Sequence, residues 1–133
     1  MKKILFALLF PAVCSAQSLP ICTHGNLTNG TLTADVTDTN PGTIIAAPGA
    51  GYRLYVSGLC ITNNDATVGT VVVVSCSATS SKRVRLNAAA VGGGFCQPLG
   101  YEMRCDSNTA LTVTPETTSA QIQAAAWGCI STQ

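Results

Sequence analysis

The stretch Tyr52–Thr62, YRLYVSGLCIT, decides the fold. Leu54 and Val56 alternate with Arg53 and Tyr55, the period of two that belongs to a strand with one face in a core and one toward solvent. Gly58 then breaks the alternation, as a β-bulge would. The same period recurs on both sides. In Thr31–Thr37, TLTADVT, the residues Leu32, Ala34 and Val36 share a face. Val71–Val74 is a continuous β-branched run, which predicts a strand buried on both faces. Val84 and Leu86 alternate with Arg83 and Arg85, and Leu111 and Val113 alternate with threonines. Ala120, Ile122, Ala124 and Ala126 face one way, with Gln121, Gln123 and Ala125 opposite.

Turn chemistry separates these runs. Asn29-Gly30, Asn40-Pro41-Gly42, Pro48-Gly49, Asn63-Asn64-Asp65, Gly92-Gly93-Gly94 and Pro98-Leu99-Gly100 all favour turns. The only helical candidate, Asn87–Val91, is too short to stand alone. Seven or eight short strands at this spacing predict an all-β fold, a small antiparallel sandwich or barrel.

The 133 residues are 47% hydrophobic and only 10% charged, with a formal net charge of +1. Soluble domains average roughly 25% charged residues, so Thr, Ser, Asn, Gly and Ala fill places usually held by Lys and Glu. Near-neutrality argues against a nucleic-acid binder, which carries a basic face. High apolar content without like-charge runs excludes disorder.

Residues 1–16, MKKILFALLFPAVCSA, have the parts of a secretory signal: Lys2 and Lys3, an apolar run at Ile4–Phe10, and a small-residue cleavage site ending at Ala16. The apolar run is shorter than the roughly 20 residues a membrane-spanning helix needs. Cleavage leaves Cys22, Cys60, Cys76, Cys96, Cys105 and Cys129, an even set that suggests three disulfides in an oxidising compartment. Cys96 and Cys105 flank an expected hairpin turn around Leu99–Glu102. Cys22 with Cys129 would tie the chain ends, and Cys60 with Cys76 would close the third pair. Residues 17–30 are polar and read as an arm anchored by Cys22, before a sandwich domain at 31–133. The expected location is extracellular or periplasmic.

Catalysis needs a base near a nucleophile, paired carboxylates or a metal, and none is spelled out. His24 stands alone in the arm. Asp35, Asp38, Asp65, Glu102, Asp106 and Glu116 fall in or beside expected turns, where such side chains bond backbone amides. No CxxC pair accompanies the single histidine, so no zinc set is predicted. The three glycines at 92–94 lack the following Gly-Lys-Ser/Thr of a phosphate loop. No catalytic residue, metal or cofactor is therefore expected. Lys82, Arg83 and Arg85 form the one basic cluster, either an anion site or a charged edge strand. Trp127 and Tyr55, with Tyr52 and Tyr101, are candidates for a sugar-stacking platform. Asn26-Leu27-Thr28 and Asn29-Gly30-Thr31 are glycan acceptor sequons.

A resemblance runs from Ala47 to Gly128. It rests on APGAGYRLYV (Ala47–Val56), ITNNDATVGT (Ile61–Thr70), AAAVGGGF (Ala88–Phe95), Pro98-Leu99 and NTAL (Asn108–Leu111). These stretches resemble small β-rich structural proteins of tailed bacteriophages and prophages. The resemblance implies a jelly-roll-like sandwich on a virion or tail surface, often oligomeric, with no catalytic residues to carry over. The signal sequence and six cysteines depart from that family, whose members assemble where disulfides do not persist.

The expected function is accordingly a non-enzymatic, exported structural protein that self-associates or coats a larger particle or filament, on a virion surface if phage-encoded. The rival is a secreted carbohydrate-binding or adhesion module using Trp127, Tyr55, Arg83 and Arg85. The expected partners are a homo-oligomer, a larger protein assembly or a surface glycan, with no nucleic acid and no membrane span.

Overall fold

The computed structural model describes residues 26–32, 34–77, 79 and 82–132. Residues 1–16, His24, Cys22 and most of the segment read as an arm lie outside the described residues. Eight strands follow in order: β1 (Asn26–Thr31), β2 (Gly42–Ile45), β3 (Tyr52–Asn63), β4 (Thr70–Ser75), β5 (Arg83–Ala88), β6 (Gly94–Arg104), β7 (Leu111–Pro115) and β8 (Ile122–Thr132). No helix occurs among them, so Asn87–Val91 is the end of β5 and a turn rather than a helical segment. They form two four-stranded antiparallel sheets, β1-β8-β3-β6 and β2-β7-β4-β5.

The alternation seen in the sequence sets which side of each strand faces inward. Leu54, Val56, Leu59 and Ile61 of β3 are buried together with Val72 and Val74 of β4, Leu111 and Val113 of β7, and Ile122, Ala124 and Ala126 of β8. Side chains from both sheets belong to one hydrophobic cluster, which makes the fold a β-sandwich. Burying such aliphatic side chains contributes about 1.5–3 kcal/mol each, the main favourable term for a chain this size.

Four local expectations change. Val71–Val74 is buried on one side only: Val72 and Val74 enter the core, while Val71 and Val73 are half-buried on the outer face. Leu32 and Val36 reach the core but Ala34 is exposed, and Val36 makes only an isolated bridge to Ile122. Asn29-Gly30 lies inside β1 rather than in a turn. A Cβ on Gly30 would sit 2.0 Å from the carbonyl oxygen of Ile44, so glycine permits the close crossing of β1 and β2. Residues 26–30, expected at the end of the arm anchored by Cys22, instead belong with Thr31 to the first sheet and pair against β8.

The fourth change concerns the disulfides. Pro98-Leu99-Gly100 does not reverse the chain. Residues 95–98 and 103–104 all pair with β3 in one direction, and the residues between bulge out of the ladder. With no hairpin there, Cys96 and Cys105 do not face each other. Instead Cys60 is bonded to its register partner Cys96 within the first sheet. Cys76, just after β4, is bonded to Cys105, just after β6, so this bridge joins the two sheets. Neither Cys96–Cys105 nor Cys60–Cys76 forms. Cys129 is also disulfide-bonded, and Cys22, its expected partner, lies outside the described residues.

Candidate functional site

The sandwich presents two outer faces with different chemistry. On the first sheet, residues paired across strands share a side, so the outward set includes Leu27 and Asn29 of β1, Trp127 and Ala125 of β8, and Gly58, Cys60 and Thr62 of β3. These positions carry no charge, while Arg104 of β6, opposite Tyr55, and Arg53 of β3 lie further along the same side. Leu27 is 84% exposed and Trp127 36%. Together with Thr28, Asn29 and Gly128 they line a hollow of about 430 Å³.

The bulge of β3 seats the tryptophan. The register shifts by one residue between Val56 and Gly58, opposite Gly128 and Trp127. A Cβ on Gly58 would lie 2.0, 2.1 and 2.7 Å from Cζ2, Cε2 and Cη2 of Trp127. Three atoms of one ring so close to a single point place the indole face-on over the glycine backbone. One face of the ring is packed on β3 and the other is turned to solvent. Tyr55 lies one register pair further along the same side, opposite Cys129.

The second sheet's outer face carries the basic cluster. β5 is an edge strand, with Arg83, Arg85 and Asn87 exposed and opposite Ser75, Val73 and Val71 of β4. Arg85 Nη2 lies 2.7 Å from Glu116 Oε2. Lys82 Nζ lies 2.6 Å from Asp106 Oδ1, whose Oδ2 accepts a 2.6 Å bond from the Ser77 hydroxyl. Arg83 forms no ion pair among the described residues. The four candidate ligand residues thus divide, Tyr55 and Trp127 on one face and Arg83 and Arg85 on the other, and do not make one site.

The carboxylates are engaged structurally. Asp38 accepts from the Asn40 side-chain and backbone N–H groups, which lower its pKa. Asp65 accepts the Thr67 and Val68 backbone N–H groups at 2.8 and 2.7 Å, and these hold its carboxyl below the ordinary value. The Asp35 carboxylate accepts from Gln123 Nε2, and Glu102 accepts from the Ser57 hydroxyl at 3.4 Å. Among the described residues no group of three or more His, Cys, Asp or Glu is placed to hold a metal ion. None of their helices is long and apolar enough to cross a membrane. Gly92-Gly93-Gly94 forms the β5–β6 turn and the first residue of β6.

Of the sequons, Asn29 is exposed beside Trp127, while the Asn26 side chain lies outside the described set. Tyr52 is exposed at the start of β3; His24 and the Tyr101 side chain are likewise outside the described set. Two contributors escaped the sequence reading: Leu27, hidden in a polar segment, and Gly58 as a seat for the indole. A glycine inside an alternating strand was the available signal for the second.

No family model, curated protein or solved structure matches the chain.

Proposed function

We propose that this chain is a non-enzymatic, exported structural protein that packs through the outer face of its first sheet against copies of itself or a larger particle. The observation that carries the reading is the uncharged stretch around Leu27 and Trp127, where an exposed leucine and a solvent-facing indole stand among small residues. Monomeric proteins rarely leave large contiguous apolar surface uncovered, and aromatic residues at the centre of a patch supply most interface energy. Two further features support it. The strand pairs β1–β8, β2–β7, β3–β6 and β4–β5 describe one long antiparallel ribbon wound over itself, the construction of a jelly roll, an architecture used by capsid and lectin domains. The motifs between Ala47 and Gly128 resemble tailed-phage structural proteins. Disulfides favour an oxidising compartment, and the leader at 1–16 supplies a route of export.

The test is light scattering of the native protein at rising concentration, beside Leu27→Asp and Trp127→Ala. Concentration-dependent association abolished by either substitution is expected. A strict monomer that also fails to bind particles from its source would overturn the reading.

A second reading, a carbohydrate-binding module, is favoured by the face-on seating of Trp127 with Asn29 beside it. A flat aromatic platform with a neighbouring amide suits the apolar face of a sugar ring. A glycan array separates the two: defined sugar binding lost in Trp127→Ala supports this second function, and a blank array removes it.

A further inference from the structure

The two fully described disulfides differ in what reaches them. Cys76 and Cys105 are 1% and 0% exposed, and Cys129 is 2% exposed. Cys96 is exposed and Cys60 half-exposed on the outer side of the first sheet. Beside Cys60 lies a hollow of about 170 Å³ whose lining includes Thr31, Thr62, Gln123 and Ala125.

We propose that Cys60–Cys96 is a thiol-exchange site that takes a small aliphatic thiol of about the size of free cysteine, entering by this hollow. Displacement at sulfur runs in line with the breaking S–S bond. The strand order β8-β3-β6 places Cys96 on one side of Cys60 and Ala125 on the other. The extension of the S–S axis beyond Cys60 therefore passes over Ala125, whose methyl side chain leaves the approach open into the hollow. An incoming thiolate bonds to Cys60 Sγ, and the S–S electron pair leaves on Cys96 Sγ, which is exposed, solvated and protonated by water. A second thiol then attacks the mixed disulfide. The bridge is reduced to two thiols, and the two small thiols are oxidised to their disulfide.

The fold survives this opening because the bridge spans neighbours already joined by the β3–β6 ladder, while the Cys76–Cys105 bridge between the sheets stays closed. The site lies on the face proposed to pack against a partner, so exchange is read on the monomer, where its outcome is separate from that reading.

Free cysteine is added to the folded protein at a dilution where light scattering shows a monomer. Reaction is quenched with acid, free thiols are alkylated, and each cysteine is mapped by mass. The expected early product carries one cysteinyl group on Cys60 and one alkyl group on Cys96, with Cys76, Cys105 and Cys129 unlabelled and the circular dichroism unchanged. Reaction at all bridges together, no reaction before denaturant is added, or an adduct on Cys96 would overturn the proposal. Ala125→Leu fills the approach and is expected to slow exchange about tenfold or more. Thr31→Phe, at the exposed rim of the same hollow, gives a second obstruction should the first variant not fold. An unchanged rate in a folded variant refutes the path.

Discussion

Two edge strands of the sandwich, β5 and β1, handle the same problem in opposite ways. The second sheet ends in β5, whose outward positions hold Arg83 and Arg85, with Arg85 paired to Glu116. Charge on an edge strand discourages another strand from adding to it. The first sheet ends at β1 with Leu27 84% exposed and no charge on the outward side of that strand. A chain with few charged residues has placed two of its arginines outward on the β5 edge and left the outward side of the β1 edge uncharged, its other two arginines, Arg53 and Arg104, lying on β3 and β6 of the first sheet. The difference teaches where contact is discouraged and where it is left available.

The largest effect expected to test this contrast lies in the disulfides. Bridges closing 36 and 29 residues constrain the unfolded chain almost equally, by about 3.7 kcal/mol each on loop length alone. Their surroundings differ. Cys76→Ala with Cys105→Ala also opens a void between the sheets and is expected to cost about 3–5 kcal/mol. Cys60→Ala with Cys96→Ala, at the surface, is expected to cost about 2–4 kcal/mol. Urea denaturation of the two double variants gives the order. A larger loss from the surface pair would mean that the intersheet bridge is not what holds the layers together.

Next is the seat of the indole. Gly58→Ala drives a methyl into the ring of Trp127, and either the ring lifts or the bulge shifts, at about 1–3 kcal/mol. Trp127 is the only tryptophan, so its emission reports the change directly. A red shift with lower stability is expected; wild-type emission and stability would show that the ring is not held there. Association should fall with the shift if the flat indole is the contact.

How much of this was legible follows from what each residue answers to. The period of two marked β3, β5, β7 and β8, because inward alternation is a local property of the chain. Gly58 was legible as a bulge but not as the seat of Trp127, since that contact depends on the register between β3 and β8. The disulfides failed for a similar reason. Pro98-Leu99-Gly100 has turn composition, yet pairing with β3 on both sides of the bulge keeps β6 running in one direction. Asn63 shows the same limit. Its sequence neighbours predict a turn, but its fully buried side chain donates to the carbonyls of Val68 and Ala88 and accepts from the N–H groups of Asp65 and Gln121. That hub joins segments far apart in sequence. Leu27 was invisible because a lone leucine in a polar stretch carries no period.

Acid sharpens the comparison at the loops between the faces. Asp65 and Asp38 are held below their ordinary value of 3.8, Asp65 first by the Thr67 backbone N–H and Asp38 first by the Asn40 side chain. A depressed folded-state pKa means the stabilisation is complete above the unfolded value and is lost as pH falls through the folded one. Stability is therefore expected to be flat on this account above about pH 5 and to decline below 3.8. Asp65→Asn should make that acid limb shallower in urea midpoints measured across pH. An unchanged limb would assign the decline to other carboxylates.

The smallest effect belongs to the charged edge itself. Arg85 and Glu116 side chains are 63% and 39% exposed, so solvent screens the pair and its contribution to stability is about 0.2–1 kcal/mol. Arg85→Ala should shift the urea midpoint little, and the shift should shrink further as salt is added. Arg83→Val with Arg85→Val removes the charge and restores an apolar edge of high strand propensity. If charge is what keeps this edge from pairing, the double variant should aggregate or associate at concentrations where the parent does not, while Arg85→Ala alone, with Arg83 still in place, should not. Association by the parent that is lost in the valine variant would reverse the contrast and put the contact surface on the second sheet.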